Sequence, residues 1–324
     1  MSCSANSGGF SGSGFGGSPA SGGSSASLGT TSNGTTGGVI GLDVGGAASA
    51  VAAVAPSVWP PSQCVTAPVE GALGAYCLGP QVAAADATPA NDNASVAAGC
   101  GTTLWGVVRD FISYKATLTF TSPDFGNYCC NVQTGMVAND LGADDKPVFT
   151  GVGVSSNPPL MTDKAHFDQW YNDVTDVNIP FYVAFRLDND GSGTYTFAAA
   201  DGSHQYFPLD GYGWGNDQYS PHNYSFTTEI HTQFVYQGGE IFKFTGDDDL
   251  WVFINRKLAI DIGGVHVATT VPINLDEHKA DLGLVVGGVY HLDLFGAERH
   301  PSESNFRIDT SMKFVNCGAQ PPIQ

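Results

Sequence analysis

The chain has 324 residues, enough for one large domain or two small ones. Its 31 acidic side chains against 12 basic ones give a net charge of -19, which argues against nucleic acid and anionic lipid and suits cations, neutral glycans or basic surfaces. No apolar run approaches the ~20 residues of a membrane-spanning helix, and the apolar stretch 47–55 is closed by Pro56.

Residues 1–37 are mostly Gly, Ser, Thr, Ala and Asn, and they read as a disordered, flexible tether that buries too little apolar surface to fold. The chain opens Met-Ser-Cys without a basic-plus-apolar leader, so the expectation is a secreted or cell-surface protein whose signal has been removed. Cys3 heads the tether and is a candidate lipid anchor; a stray cysteine is the other reading. Residues 38–99, rich in Ala, Val and Pro, read as weakly structured. Of seven cysteines, six remain beside Cys3, with no CxxC knuckle, which favours disulfides in an oxidising compartment. Cys64 and Cys77 form a plausible local pair, and Cys100 and Cys317 bracket the expected folded domain, residues 100–318. Cys129 and Cys130 each need a separate partner, or else form a soft metal site.

From residue 102 strand-like segments follow one another between Gly, Asn and Asp turns. A single helix is expected over 162–173, with Phe167, Trp170 and Tyr171 on one face behind a Thr162 cap. Residues 180–187 place Phe181, Val183, Phe185 and Leu187 on one face and lead through Asp188-Asn-Asp-Gly-Ser-Gly193 into a hairpin partner at 194–197. The aromatics Tyr212, Trp214 and Tyr219 stand among Gly and Asn, where they either stack on sugar or close the core. Segments 240–245 and 250–255 flank the acidic loop Gly246-Asp247-Asp248-Asp249, and 289–295 is a further strand. Residues 305–314 alternate strictly, with Phe306, Ile308, Met312 and Phe314 on one side, as in a half-buried antiparallel strand. Many short strands and one short helix predict an all-β antiparallel sandwich or barrel with long loops.

Three successive aspartates between apolar strands repel one another, and a cation relieves that cost. Calcium takes 6–8 oxygen ligands, of which three carboxylates supply about half; a solvated turn is the bland alternative. Glu298-Arg299 reads as a buried structural pair or as rim contacts, and Asp188-x-Asp190-Gly191 reads as a hairpin turn. His266 follows Gly263-Gly264, where the backbone can approach a ligand.

The run Phe242-Lys-Phe-Thr-Gly-Asp-Asp-Asp-Leu-Trp-Val-Phe-Ile-Asn255 resembles the core motif of the fibro-slime domain, a family of the PA14 superfamily of β-sandwiches. Val108-Arg-Asp-Phe111, Phe207-Pro-Leu-Asp-Gly211, Phe226-Thr-Thr-Glu229, Asp261-Ile-Gly-Gly-Val-His266 and Leu292-Asp-Leu-Phe-Gly-Ala-Glu-Arg-His300 extend the likeness over about residues 102–315. The resemblance implies calcium held by Asp247 and Asp248 across a cis peptide, with glycan hydroxyls bridged by the ion. Asn305 is a further candidate metal ligand, and Asp249, Arg256 and His266 are candidate ligand-binding residues. One departure stands out. Asn255 is followed by Arg256 rather than Gly, so a longer turn or one of another type is expected there.

The expected function is an extracellular carbohydrate- or matrix-binding module using calcium. A structural subunit of an extracellular matrix, sheath or fibre is the alternative, and a glycoside hydrolase the second. No HExxH, GxSxG or phosphate-loop motif supports catalysis.

Overall fold

The structure, a computed structural model, describes residues 64–65, 76–79, 103–112, 122–126, 131–189, 191–198, 205–217 and 220–316. The tether, Cys3, Cys100, Cys129, Cys130, Asp190, Tyr219 and Cys317 lie outside the described residues.

In chain order the first elements are β1 (Cys64–Val65), β2 (Tyr76–Gly79), β3 (Thr103–Phe111), α1 (Lys164–Asp168), β4 (Asn178–Arg186), β5 (Asp188–Asn189), β6 (Tyr195–Phe197) and β7 (Phe226–Val235). Then come β8 (Ile241–Gly246), β9 (Asp249–Ile254), β10 (Lys257–Ile262), β11 (Thr269–Asn274), α2 (Leu275–Leu282), β12 (Val289–Glu298), β13 (Phe306–Thr310) and β14 (Lys313–Asn316). They form two antiparallel sheets. The larger runs β1-β2-β4-β3-β7-β12-β9-β10, with β14 added to β7; the smaller runs β11-β8-β13-β6-β5. Among the described residues no helix is long and apolar enough to cross a membrane.

The two sheets face each other across one apolar layer, to which β9 sends Leu250, Val252 and Ile254, β8 sends Phe242 and Phe244, and β13 sends Phe306 and Ile308. The outer face of the large sheet is covered as well. Phe125, Phe167, Trp170 and Tyr171, from the long excursion between β3 and β4, pack on Trp251, Phe253 and Phe295. Strand β9 is therefore buried on both faces, which is why its sequence is an unbroken apolar run after Asp249.

Several expectations are corrected. The helix α1 is one short turn capped by Asp163, whose side chain accepts from His166 N; Thr162 instead donates through its N and Oγ1 to Asp124 Oδ1, at 2.8 and 2.7 Å. A second helix, α2, was not expected. Asn274 caps it by accepting from Asp276 N at 3.1 Å, and Gly283 closes it in the left-handed region. Asn274→Ala is expected to cost about 1 kcal/mol in urea unfolding. The alternating run 305–314 is two strands on two sheets. β13 pairs with β6 and β8, and β14 crosses to β7. At the corner Ser311 N and Thr310 Oγ1 both donate to Ile241 O. The hairpin after Leu187 is present, with Asp188 opposite Thr196, but it belongs to the sheet facing β4. Part of the 38–99 segment also joins the large sheet: Cys64 lies opposite Cys77, and Leu78 pairs with Val183 of β4.

The turn between β9 and β10 is tight. Asn255 and Arg256 have φ of 51° and 66°, and Lys257 pairs directly with Ile254. Both residues are held by outside contacts that offset the strain: Asn255 Nδ2 donates to Leu282 O at 2.8 Å, and Arg256 Nη2 donates to Gly142 O at 2.5 Å.

Candidate functional site

The loop Asp247-Asp248 joins the end of β8 to the start of β9 at one end of the sandwich. The register sets its neighbours. Phe306 of β13 lies opposite Gly246, which brings Asn305 beside Asp247. A side chain at position 246 would place its Cβ 2.7 Å from Asn305 O, so only glycine lets the two strands meet there. Asp247 Oδ1 accepts from Asn305 N at 2.5 Å, and its Oδ2 accepts from Asn305 Nδ2 at 3.0 Å. Asp248, at φ 57°, accepts through Oδ2 from Arg299 N at 2.7 Å and His300 N at 2.9 Å. The two carboxylates thus clamp both ends of the β12–β13 connection. The peptide between them is trans, contrary to the expectation carried by the resemblance; Asp248 makes the bend through its positive φ instead.

Strand alternation sorts the acidic residues by face. Glu298, at the end of β12, belongs to the inter-sheet side and is buried near Asp247, Asp248 and Ser304. Asp249 and Arg299 belong to the outer side. Arg299 Nε lies 2.7 Å and Nη2 2.6 Å from Asp249 Oδ2, both side chains being fully buried, and Asp249 Oδ1 accepts from Gly264 N at 2.6 Å. This corrects two expectations. Arg299 pairs with Asp249 rather than with Glu298, because consecutive strand residues face opposite ways. Asp249, placed among the ligand-binding residues from sequence, is engaged inside the protein. Arg256 is also removed from the site: it lies beyond the far end of β9, roughly 20 Å along the strand, in an ion pair with Asp145.

Burial shifts each carboxyl of this site upward from its ordinary pKa. It raises Asp247 to about 6 against the pull of the Asn305 hydrogen bonds. Burial, then the Asp247 charge, raises Asp248 well above the carboxylate range, and burial followed by the charges of Asp248 and Asp247 does the same to Glu298. No Lys or Arg side chain forms an ion pair with any of the three among the described residues. Nor do three His, Cys, Asp or Glu side chains converge there as a ready metal-ligand group, so a hard cation would draw also on amide and main-chain oxygens.

Asp247 and Asp248 line a cavity of about 130 Å³ with His266, His300, Ser302 and Glu303. His266 is thus at the site, although its ring nitrogens lie 2.9 Å from Val267 O and 3.2 Å from Ile262 O. Of the aromatics singled out in the sequence, Tyr212 packs against the core, and Trp214 N donates to Asp110 Oδ2 at 2.5 Å.

A second polar cluster escaped sequence reasoning. On the outer face, Glu229 accepts from Arg109 Nη1 at 2.5 Å, meets Lys146 Nζ, and lies 2.6 Å from His231 Nε2; His231 Nδ1 lies 2.7 Å from Asp293 Oδ1. The available signal was Glu229-Ile-His231, two ionisable residues on one face of strand β7.

The PA14 domain family matches residues 208–323. The chain is similar to Protein psiD of Dictyostelium discoideum, 38% identical over 225 residues, covering 65% of this chain and 43% of that protein. It is also similar to Protein psiC of the same organism, 34% identical over 222 residues, covering 63% of this chain and 42% of that protein. The chain therefore spans less than half the length of either relative. A solved structure titled PA14 sugar-binding domain from RTX adhesin aligns with 67% of this chain and 99% of its own, at 8% identity and a TM-score of 0.27, a likeness too loose to speak for any residue of the site.

Proposed function

From the PA14 domain that this chain carries over residues 208–323, we propose that it is an extracellular, cell-surface module that binds carbohydrate or matrix polymer through a calcium ion, and that it is a binder rather than an enzyme. Asp247, Asp248 and Asn305 would hold the ion. The observation carrying this reading is that Asp247, Asp248 and Glu298 are buried together without a Lys or Arg ion pair among the described residues, Arg299 acting on Asp248 only as a nearby charge. Uncompensated buried charge is costly, and a divalent cation offsets it. The donor chemistry also fits, since carboxylate and amide oxygens are what a hard cation selects. When bound, calcium would supply a positive centre able to coordinate sugar hydroxyls. The chain's own part is to fix the donors in advance. Asn305 locks Asp247 through two hydrogen bonds, and the main-chain N–H groups of Arg299 and His300 lock Asp248.

Thermal melting tests the proposal. Calcium at about a hundred times its dissociation constant should raise the melting temperature by roughly 5–10 °C over chelator. Replacing both aspartates, Asp247→Ala with Asp248→Ala, should remove that rise. If the unaltered chain melts identically in calcium and in chelator, the calcium site is wrong.

A further inference from the structure

We infer that the site continues into a second sugar subsite, lined by Gln205, Phe207, His222 and Tyr224, so that the preferred ligand is a neutral oligosaccharide of at least two rings. The inference rests on the carbohydrate-binding reading above. Beside the 130 Å³ cavity at Asp247 and Asp248 lies a larger one of about 380 Å³, and Ser302 and Glu303 line both. The two are neighbouring compartments sharing one wall. Clefts for small ligands run about 300–1,000 Å³, so the smaller compartment is undersized for a whole ligand and the larger is not.

The wall of the larger compartment is built before any ligand arrives. The imidazole of His222 stacks on Phe207, with ring centres 3.8 Å apart and planes 7° apart, and Tyr224 meets Phe207 edge-on at 5.2 Å. His222 Nδ1 lies 2.5 Å from Asp210 Oδ2, which fixes the ring, while Nε2 has no partner among the described residues. Gln205 is held by a β-bridge to Asn305, next to Asp247, and its side chain is exposed. Rings with polar tips, an amide and hydroxyls suit a sugar's apolar face and its hydroxyl rim. Charge selects within that class. Among the described residues neither compartment has a Lys or Arg in its lining, and Glu303 lies in both, which disfavours sulfated sugars and sugar acids.

Calorimetric titration of the full chain in calcium tests this, using the methyl glycosides of glucose, galactose, mannose and N-acetylglucosamine and the linear trisaccharides of the same sugars. For the sugar that binds, the trisaccharide should bind at least ten-fold tighter than its methyl glycoside. In Gln205→Ala, and separately in His222→Ala, that ratio should fall toward one. Equal affinity for short and long sugars, or equal weakening of both in the two variants, overturns the second subsite while leaving the calcium reading standing. Failure of every sugar to bind overturns the carbohydrate-binding reading and the second subsite with it.

Discussion

Arg299→Ala should destabilise the domain by about 3–5 kcal/mol, read as a shift in the urea unfolding midpoint. The guanidinium is fully buried, and it ties β9 to the excursion between β3 and β4. It pairs with Asp249 of β9, donates from Nη1 to Leu160 O at 2.7 Å, and lies 4.8 Å from the ring centre of Trp170. Burial alone would lower its pKa, but the charges of Asp249 and Asp248 prevail and raise it, so it remains a cation. Truncation leaves Asp249 buried with Gly264 N as its remaining hydrogen-bond donor among the described residues, and it strips Asp248 of a nearby positive charge. Most of the cost is that orphaned carboxylate. Replacing both partners, Asp249→Asn with Arg299→Met, should therefore recover part of the loss. A drop below 1 kcal/mol in the single variant would show that the pair does not hold the acidic loop to the outer layer.

How far the sequence discloses this arrangement depends on whether a pattern is local. The apolar run of β9 and the alternation in β4 report burial directly, and both are buried as expected. The alternation across 305–314 reports burial correctly and topology wrongly. Phe306, Ile308, Met312 and Phe314 all enter the same inter-sheet core, from two sheets, so a period of two cannot reveal the corner between them. Helix α2 buries only Leu275 and Leu282, too few residues for a periodic signal, although its caps, Asn274 and Gly283, stand in the sequence. The turn at Asn255-Arg256 fails for another reason: distant contacts with Leu282 and Gly142 override local preference. At the site, the adjacency of Asp247 and Asp248 is legible, but the partner of Asp249 lies fifty residues away. Only the pairing of Asp249 opposite Ala297 puts Arg299 within reach.

Stability should fall on the alkaline side, because His231 is held as a cation between two carboxylates. Its side chain is 18% exposed and lies against Glu229 and Asp293, with the edge of the Phe295 ring nearby and Lys146 and Arg109 sharing Glu229. Burial would lower its pKa, but the hydrogen bonds and charges of Asp293 and Glu229 outweigh it and raise the pKa from 6.5 to about 9. A histidine raised on folding contributes its full stability below the unfolded value and loses it as pH climbs through the folded one. The window is therefore about pH 6.5 to 9, and the loss across it is about 3 kcal/mol. Glu229 acts in the opposite sense. Burial favours its neutral form, but Arg109, Lys146 and His231 prevail and hold it well below the ordinary 4.5, so its contribution is present above that value and is lost only in acid. Between the two, stability should be flat from about pH 4.5 to 6.5 as far as this cluster is concerned. Urea unfolding at pH 6 and pH 9.5 measures the alkaline arm, and His231→Gln, which keeps a hydrogen-bonding side chain without a titratable proton, should flatten it. An unchanged slope in that variant, or an imidazole that titrates below pH 7 by NMR in the native protein, would show that Glu229 and Asp293 do not share a histidine cation.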